Sequence, residues 1–167
     1  MTRLTVSKRV AVVIGGAGLA LGTMGTYAAT AGTQHERSRP SEGEIARLFT
    51  SWNTALQTGD PQKVADRYAS DAVLLPTVSN QVRTDRAEIV DYFEHFLQSK
   101  PVGKKIESII SVLDKNTAID TGVYAFTLTD PATGKKSTVK ARYTYAYEKR
   151  DGAWLIVNHH SSKMPEG

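Results

Sequence analysis

The chain has 167 residues, no cysteine, and 21 Lys and Arg against 17 Asp and Glu, for a formal charge of +4. A chain of this length supports one domain with one core. The lack of cysteine excludes disulfides and thiol chemistry.

Arg3, Lys8 and Arg9 precede an apolar run from Val10 to Gly25, and Ala29-Thr30-Ala31 has a small-x-small cleavage pattern. Together they predict a secretory signal peptide over residues 1–31, cleaved after Ala31, and a secreted or periplasmic protein. The run is short of ~20 apolar residues and is diluted by glycine, so no stable membrane anchor is expected. Cleavage removes Arg3, Lys8 and Arg9 and no acidic residue, which takes the formal charge from +4 to +1. No basic stripe for nucleic acid remains.

Residues 32–40 are polar and without periodicity, and read as a flexible tail. The domain is expected over residues 41–164. Ser41 and Glu44 have capping-box spacing, and Ile45, Leu48, Phe49, Trp52 and Leu56 follow at helical spacing up to Gly59. Asp60-Pro61 caps a second short helix with Val64, Ala65 and Tyr68 as its stripe. Ala72–Leu75 reads as a short strand. Thr77–Arg83 reads as a polar loop, and Asp85–Gln98 as a third helix ended by Lys100-Pro101. Four strands follow, Lys105–Leu113, Thr117–Thr129, Thr138–Lys149 and Ala153–Ser161, with a turn at Asp151-Gly152. This order predicts an α+β fold, a cone-shaped barrel in which a curved antiparallel sheet wraps around three N-terminal helices. The mouth of such a cone is a natural pocket.

The last hairpin carries polar groups at its far end. If Asp151-Gly152 is a two-residue turn and the ladder is regular, Arg142 pairs with Ser161. Arg142, Thr144, His159 and Ser161 then share one face, while Tyr143, Tyr145, Tyr147 and His160 share the other. A bulge at the turn would instead pair Arg142 with His160. Both faces are apolar enough to be buried, one in the cone and one in an interface.

Trp52-Asn-Thr-Ala-Leu-Gln-Thr-Gly-Asp60 and Tyr68-Ala-Ser-Asp-Ala-Val-Leu-Leu-Pro76 resemble the opening of the nuclear transport factor 2-like superfamily, which includes SnoaL-like cyclases and ketosteroid isomerases. The ending Arg150-Asp-Gly-Ala-Trp-Leu-Ile-Val-Asn-His-His-Ser-Ser162 is more specific. It resembles the association (hub) domain of calcium/calmodulin-dependent protein kinase II, and in particular the secreted bacterial SgcJ/EcaC-type proteins of that branch. The resemblance implies a cone-shaped fold that pairs through its sheet, as a homodimer or larger ring. With a signal peptide at the front, kinase scaffolding and calmodulin binding are not expected to carry over. The hubs hold carboxylate ligands with arginines. Two of those positions are Ser161 and Tyr145 here, and Arg142 is the arginine available nearby.

Arg142 on a buried strand calls for an anion, which can be a ligand carboxylate or an inward Asp or Glu; otherwise it is a strand-end residue in solvent. His159, His160 and Ser161 are expected to assist it. One of the two histidines is then a titrating pocket group, and an interface histidine is the competing reading. Trp52, Tyr68 and Tyr124 are candidate pocket walls, and Phe93 reads as a core aromatic. The expected ligand is a small, anionic organic molecule, such as a carboxylate. An isomerase- or cyclase-like enzyme is the alternative. Asp120 and Tyr124, four apart on one strand, could serve it as an acid–base pair, with His160 as a further catalytic candidate. A purely structural oligomerisation module is the third reading. No dinucleotide, flavin or metal motif is present, so neither cofactor nor metal is expected.

Overall fold

The computed structural model describes residues 39–165. The expected signal peptide, and the tail up to residue 38, lie outside the described residues. The elements follow the anticipated order: α1 (Glu42–Gln57), α2 (Pro61–Ala65), β1 (Tyr68–Leu75), α3 (Arg86–Phe96), β2 (Val102–Val112), β3 (Thr117–Thr129), β4 (Lys136–Arg150) and β5 (Ala153–Lys163).

Local chemistry sets the helix ends. Ser41 Oγ accepts the Glu44 N–H, as a capping residue should. The reciprocal half of the expected capping box does not form. The Glu44 carboxylate instead accepts the Trp154 indole N–H at 3.1 Å, which ties the start of α1 to β5. Gly59, at φ +71°, turns the chain out of α1. Asp60 then caps α2, with Pro61 in its first turn.

The five strands form one sheet in the order β1-β5-β4-β3-β2. Two expectations need correction. The sheet is mixed rather than antiparallel, because β1 runs parallel to β5. It is also open rather than closed into a barrel, with β1 and β2 as its edges. Strand β1 begins at Tyr68 rather than Ala72. Its first residues carry no strand pattern of their own, and β5 holds them as strand through the pairing of Tyr68 with Ile156.

Curvature comes from irregularities in the ladders. One lies in β2 between Lys105 and Glu107, opposite β3. Across from it, Gly122 sits at φ +157°, where an added Cβ would come within 2.1 Å of the Glu107 carbonyl oxygen. Only glycine fits where the two backbones close up. Between the helices and the concave face, Phe49 and Trp52 of α1 and Phe93 of α3 are buried against Tyr124, Tyr143, Tyr145 and Tyr147 of the sheet. Asn53 of α1 closes the far side by exchanging two hydrogen bonds with the Gly103 backbone, at 2.8 and 3.0 Å.

Candidate functional site

A second irregularity decides the site. From the Asp151-Gly152 turn, β4 and β5 pair as expected from Arg150↔Ala153 to Tyr147↔Ile156. Val157 is then passed over, and the ladder resumes at Ala146↔Asn158. This bulge within β5 moves every later residue to the opposite face. Arg142 pairs with Ser162, Tyr145 with His159 and Tyr143 with Ser161.

The regular-ladder expectation therefore fails beyond Tyr147. His159 and Ser161 join the tyrosines on the concave side and are buried, at 4% and 8% exposure. Arg142 and His160 stand exposed on the outer face. Neither belongs to the cavity, so Arg142 is not its arginine. The outer face is also more open than expected, since Thr144, Ala146, Leu155 and Val157 are only half-buried.

The cavity lies between α3 and the concave sheet and has a volume of about 530 Å³. Its walls are mostly apolar, with Tyr92, Phe93 and Phe96 from α3, Phe126 and Leu128 from β3, and Val139 and Ala141 from β4. Trp52, Tyr124, His159 and Ser161 also line it, and the structure brings these four expected residues together. Tyr68 lies one layer deeper and reaches the cavity through His159.

The polar side chains form a continuous chain. The Trp52 indole N–H donates to the Tyr68 oxygen at 3.1 Å. The Tyr68 hydroxyl is 2.9 Å from His159 Nδ1. His159 Nε2 lies 3.4 Å from the Tyr124 oxygen. The Tyr124 hydroxyl donates to Ser161 Oγ at 2.5 Å, and Ser161 meets the Thr77 hydroxyl. Tyr145 stacks on the His159 ring at 4.1 Å. Burial, with the nearby His160 adding to it, pulls the His159 pKa down to about 3, so the imidazole is neutral at ordinary pH. Burial also raises Tyr68 and Tyr124 above the usual phenol range. The whole chain is uncharged.

The cavity does contain an arginine, one that sequence reasoning placed in a polar loop. Arg83 is held against β1 by a two-way backbone bridge to Leu74, and its side chain is only 12% exposed. Its Nη1 donates to Asp91 at 2.7 Å, while its Nε is buried without an acceptor. Asp91 and His95 sit at the exposed rim. Nothing in the local pattern marked Arg83 or Thr77, because their placement depends on a loop folding back over the sheet.

Asp120 and Tyr124 do share a face of β3, but they do not form an acid–base pair. Asp120 is fully buried outside the cavity lining. It accepts from Ser108 and Tyr143, each at 2.8 Å, and from Lys105. Among the described residues, no group of three His, Cys, Asp or Glu side chains could hold a metal ion.

A family model described as calcium/calmodulin dependent protein kinase II association domain matches residues 41–165. A crystal structure from Xanthomonas campestris that bears the same family description is 59% identical, with a TM-score of 0.74, covering 78% of this chain and 94% of that one. A nuclear transport factor 2-like superfamily protein from Salmonella enterica has a TM-score of 0.63 at 16% identity, covering 74% and 91% of the two chains. A ketosteroid isomerase-like protein from Erwinia carotovora has 0.61 at 17%, covering 73% and 95%. The latter two likenesses speak to the fold alone. No curated protein matches the chain.

Proposed function

Because the chain belongs to the calcium/calmodulin-dependent protein kinase II association-domain family, we propose that it is an exported, self-associating domain that binds a small organic acid. The observation that carries the binding reading is the cavity of about 530 Å³, with its aromatic walls and a single arginine whose Nε is buried and unspent. A cavity of this size fits one small molecule. Asp91 takes one N–H of the Arg83 guanidinium, and the remaining N–H donors of the group are left for a carboxylate oxygen. In this reading Arg83 takes the part first expected of Arg142.

Self-association is supported by the family and by the outer face of the sheet. That face carries Ile109 at 59% exposure beside the half-buried Ile119, Thr121, Val123, Thr144 and Ala146. Apolar surface of this kind is covered when two copies meet. Export rests on the basic, apolar and small-residue pattern of residues 1–31.

Native mass spectrometry of the protein purified from its own export route tests all three parts. A dimer or larger ring that begins at Gly32 and carries a defined extra mass is expected. A monomer that gains no mass from a panel of small aromatic and aliphatic carboxylic acids would overturn the association and binding readings. A mass that still includes residues 1–31 would overturn export.

A further inference from the structure

We infer that the polar chain in the cavity runs in one direction and ends on the Thr77 hydroxyl, so that the site favours a ligand that presents a hydrogen-bond acceptor, such as a carbonyl oxygen, to Thr77. The inference rests on the cavity being a binding site.

The direction is set deep in the core. An indole N–H can donate but cannot accept, so the Trp52 contact makes the Tyr68 oxygen an acceptor. Tyr68 is 5% exposed, and its own proton needs a partner. His159 Nδ1, 2.9 Å away, supplies one only if it carries no hydrogen. The imidazole is neutral, so its hydrogen sits on Nε2 and faces the Tyr124 oxygen. Tyr124 then donates to Ser161. Either oxygen of the Ser161–Thr77 pair could donate, and the proton of the buried Ser161 has no other acceptor among the described side chains, which makes Ser161 the donor to Thr77. Each hydroxyl along the way accepts one hydrogen bond and donates one.

Thr77 is the last member. Its oxygen has been used as an acceptor, and its proton has not been donated within the chain. It is half-buried and lines the cavity. A ketone, amide or carboxylate oxygen placed there extends the chain by one bond. A group with only hydrogens to offer can use only the second lone pair of the Thr77 oxygen and leaves the Thr77 proton without a partner. Burial keeps the phenols protonated and the imidazole neutral, so this sense does not reverse near neutral pH.

Two measurements test it. The first is long-range proton–nitrogen correlation NMR on histidine-labelled protein, with the His159 signals assigned by their loss in His159→Gln. Hydrogen on Nε2 is expected, and hydrogen on Nδ1 would overturn the inference. The second is NMR titration of acetophenone and of cumene, in which a methyl group stands where the ketone has its carbonyl oxygen. Wild type should bind acetophenone about fivefold more tightly. Thr77→Val, which keeps the side-chain shape, should lose that preference and bind cumene unchanged. Equal affinities in wild type, or a preference that survives in Thr77→Val, would overturn the inference and leave the binding reading intact. Binding of neither probe would overturn the inference, and failure of benzoate to bind as well would overturn the binding reading with it.

Discussion

His159 lies directly across the ladder from Tyr145, and the two rings stack with centroids 4.1 Å apart and planes 24° from parallel. That contact exists because Val157 bulges out of β5. Without the bulge, His160 would occupy the inner face and His159 would stand in solvent.

Deleting Val157 should therefore remove the extra residue and leave a regular ladder in which Asn158 still faces Ala146 and His159 still faces Tyr145. His159 and Ser161 should stay in the core, and the chain from Trp52 to Thr77 should persist. A loss of about 1–3 kcal/mol is expected from the side chain removed and the altered twist of β5. Urea unfolding measures the loss, and nuclear Overhauser contacts between the His159 and Tyr145 rings report the register. Disappearance of those contacts in the deletion variant would show that Val157 is not the residue that sets the register.

His159 makes stability depend on pH. Its pKa is about 3 in the folded protein, against 6.5 for the unperturbed side chain. Between those values the unfolded chain binds a proton that the folded one does not. The full contribution is thus present above pH 6.5 and is lost progressively as pH falls toward 3. The slope is about 1.4 kcal/mol per pH unit. Urea midpoints between pH 6.5 and 5, where most carboxylates do not yet titrate, should fall in wild type. They should fall less in His159→Gln.

Two tyrosine-to-phenylalanine changes should act in opposite directions. The Tyr145 hydroxyl is buried without a partner, so Tyr145→Phe should be neutral or stabilising by up to about 1 kcal/mol. The Tyr143 hydroxyl donates to Asp120 at 2.8 Å, so Tyr143→Phe should cost about 1.5–3 kcal/mol. Thermal unfolding of the two variants side by side checks the sign of each.

Lys105 neutralises the fully buried Asp120. Lys105→Met should leave that carboxylate without its counter-charge and cost about 3–5 kcal/mol. Adding Asp120→Asn should recover part of the loss, because the remaining partners can hydrogen-bond a neutral amide. A double-mutant cycle in urea measures the coupling. No coupling would show that the pair is not an ion pair in solution.

The element order was legible because each element announces itself locally. Ser41 and Asp60 cap helices, and apolar spacing marks α1 and α3. Asp151-Gly152 makes a tight turn, and β3 runs from Thr117 to Thr129 as its pattern predicts. The site was only partly legible. Trp52, Tyr124, His159 and Ser161 were named from residue type and position, and they do meet in one cavity. Arg142 and His160 were named on the same grounds and lie outside it, while Arg83 and Thr77 went unnoticed.

By itself, then, the sequence determined the helices, the strands, their order and the stock of polar groups near the end of the chain, since these follow from short-range spacing and capping. The tertiary structure decided which of those groups face inward. Strand faces alternate with a period of two, so one extra residue at Val157 reverses the faces of all that follow. No local signal in β5 states that the extra residue will be there. It is settled by packing: with the bulge, β5 pairs with both β4 and β1 while His159 fills the space between Trp52, Tyr68 and Tyr145.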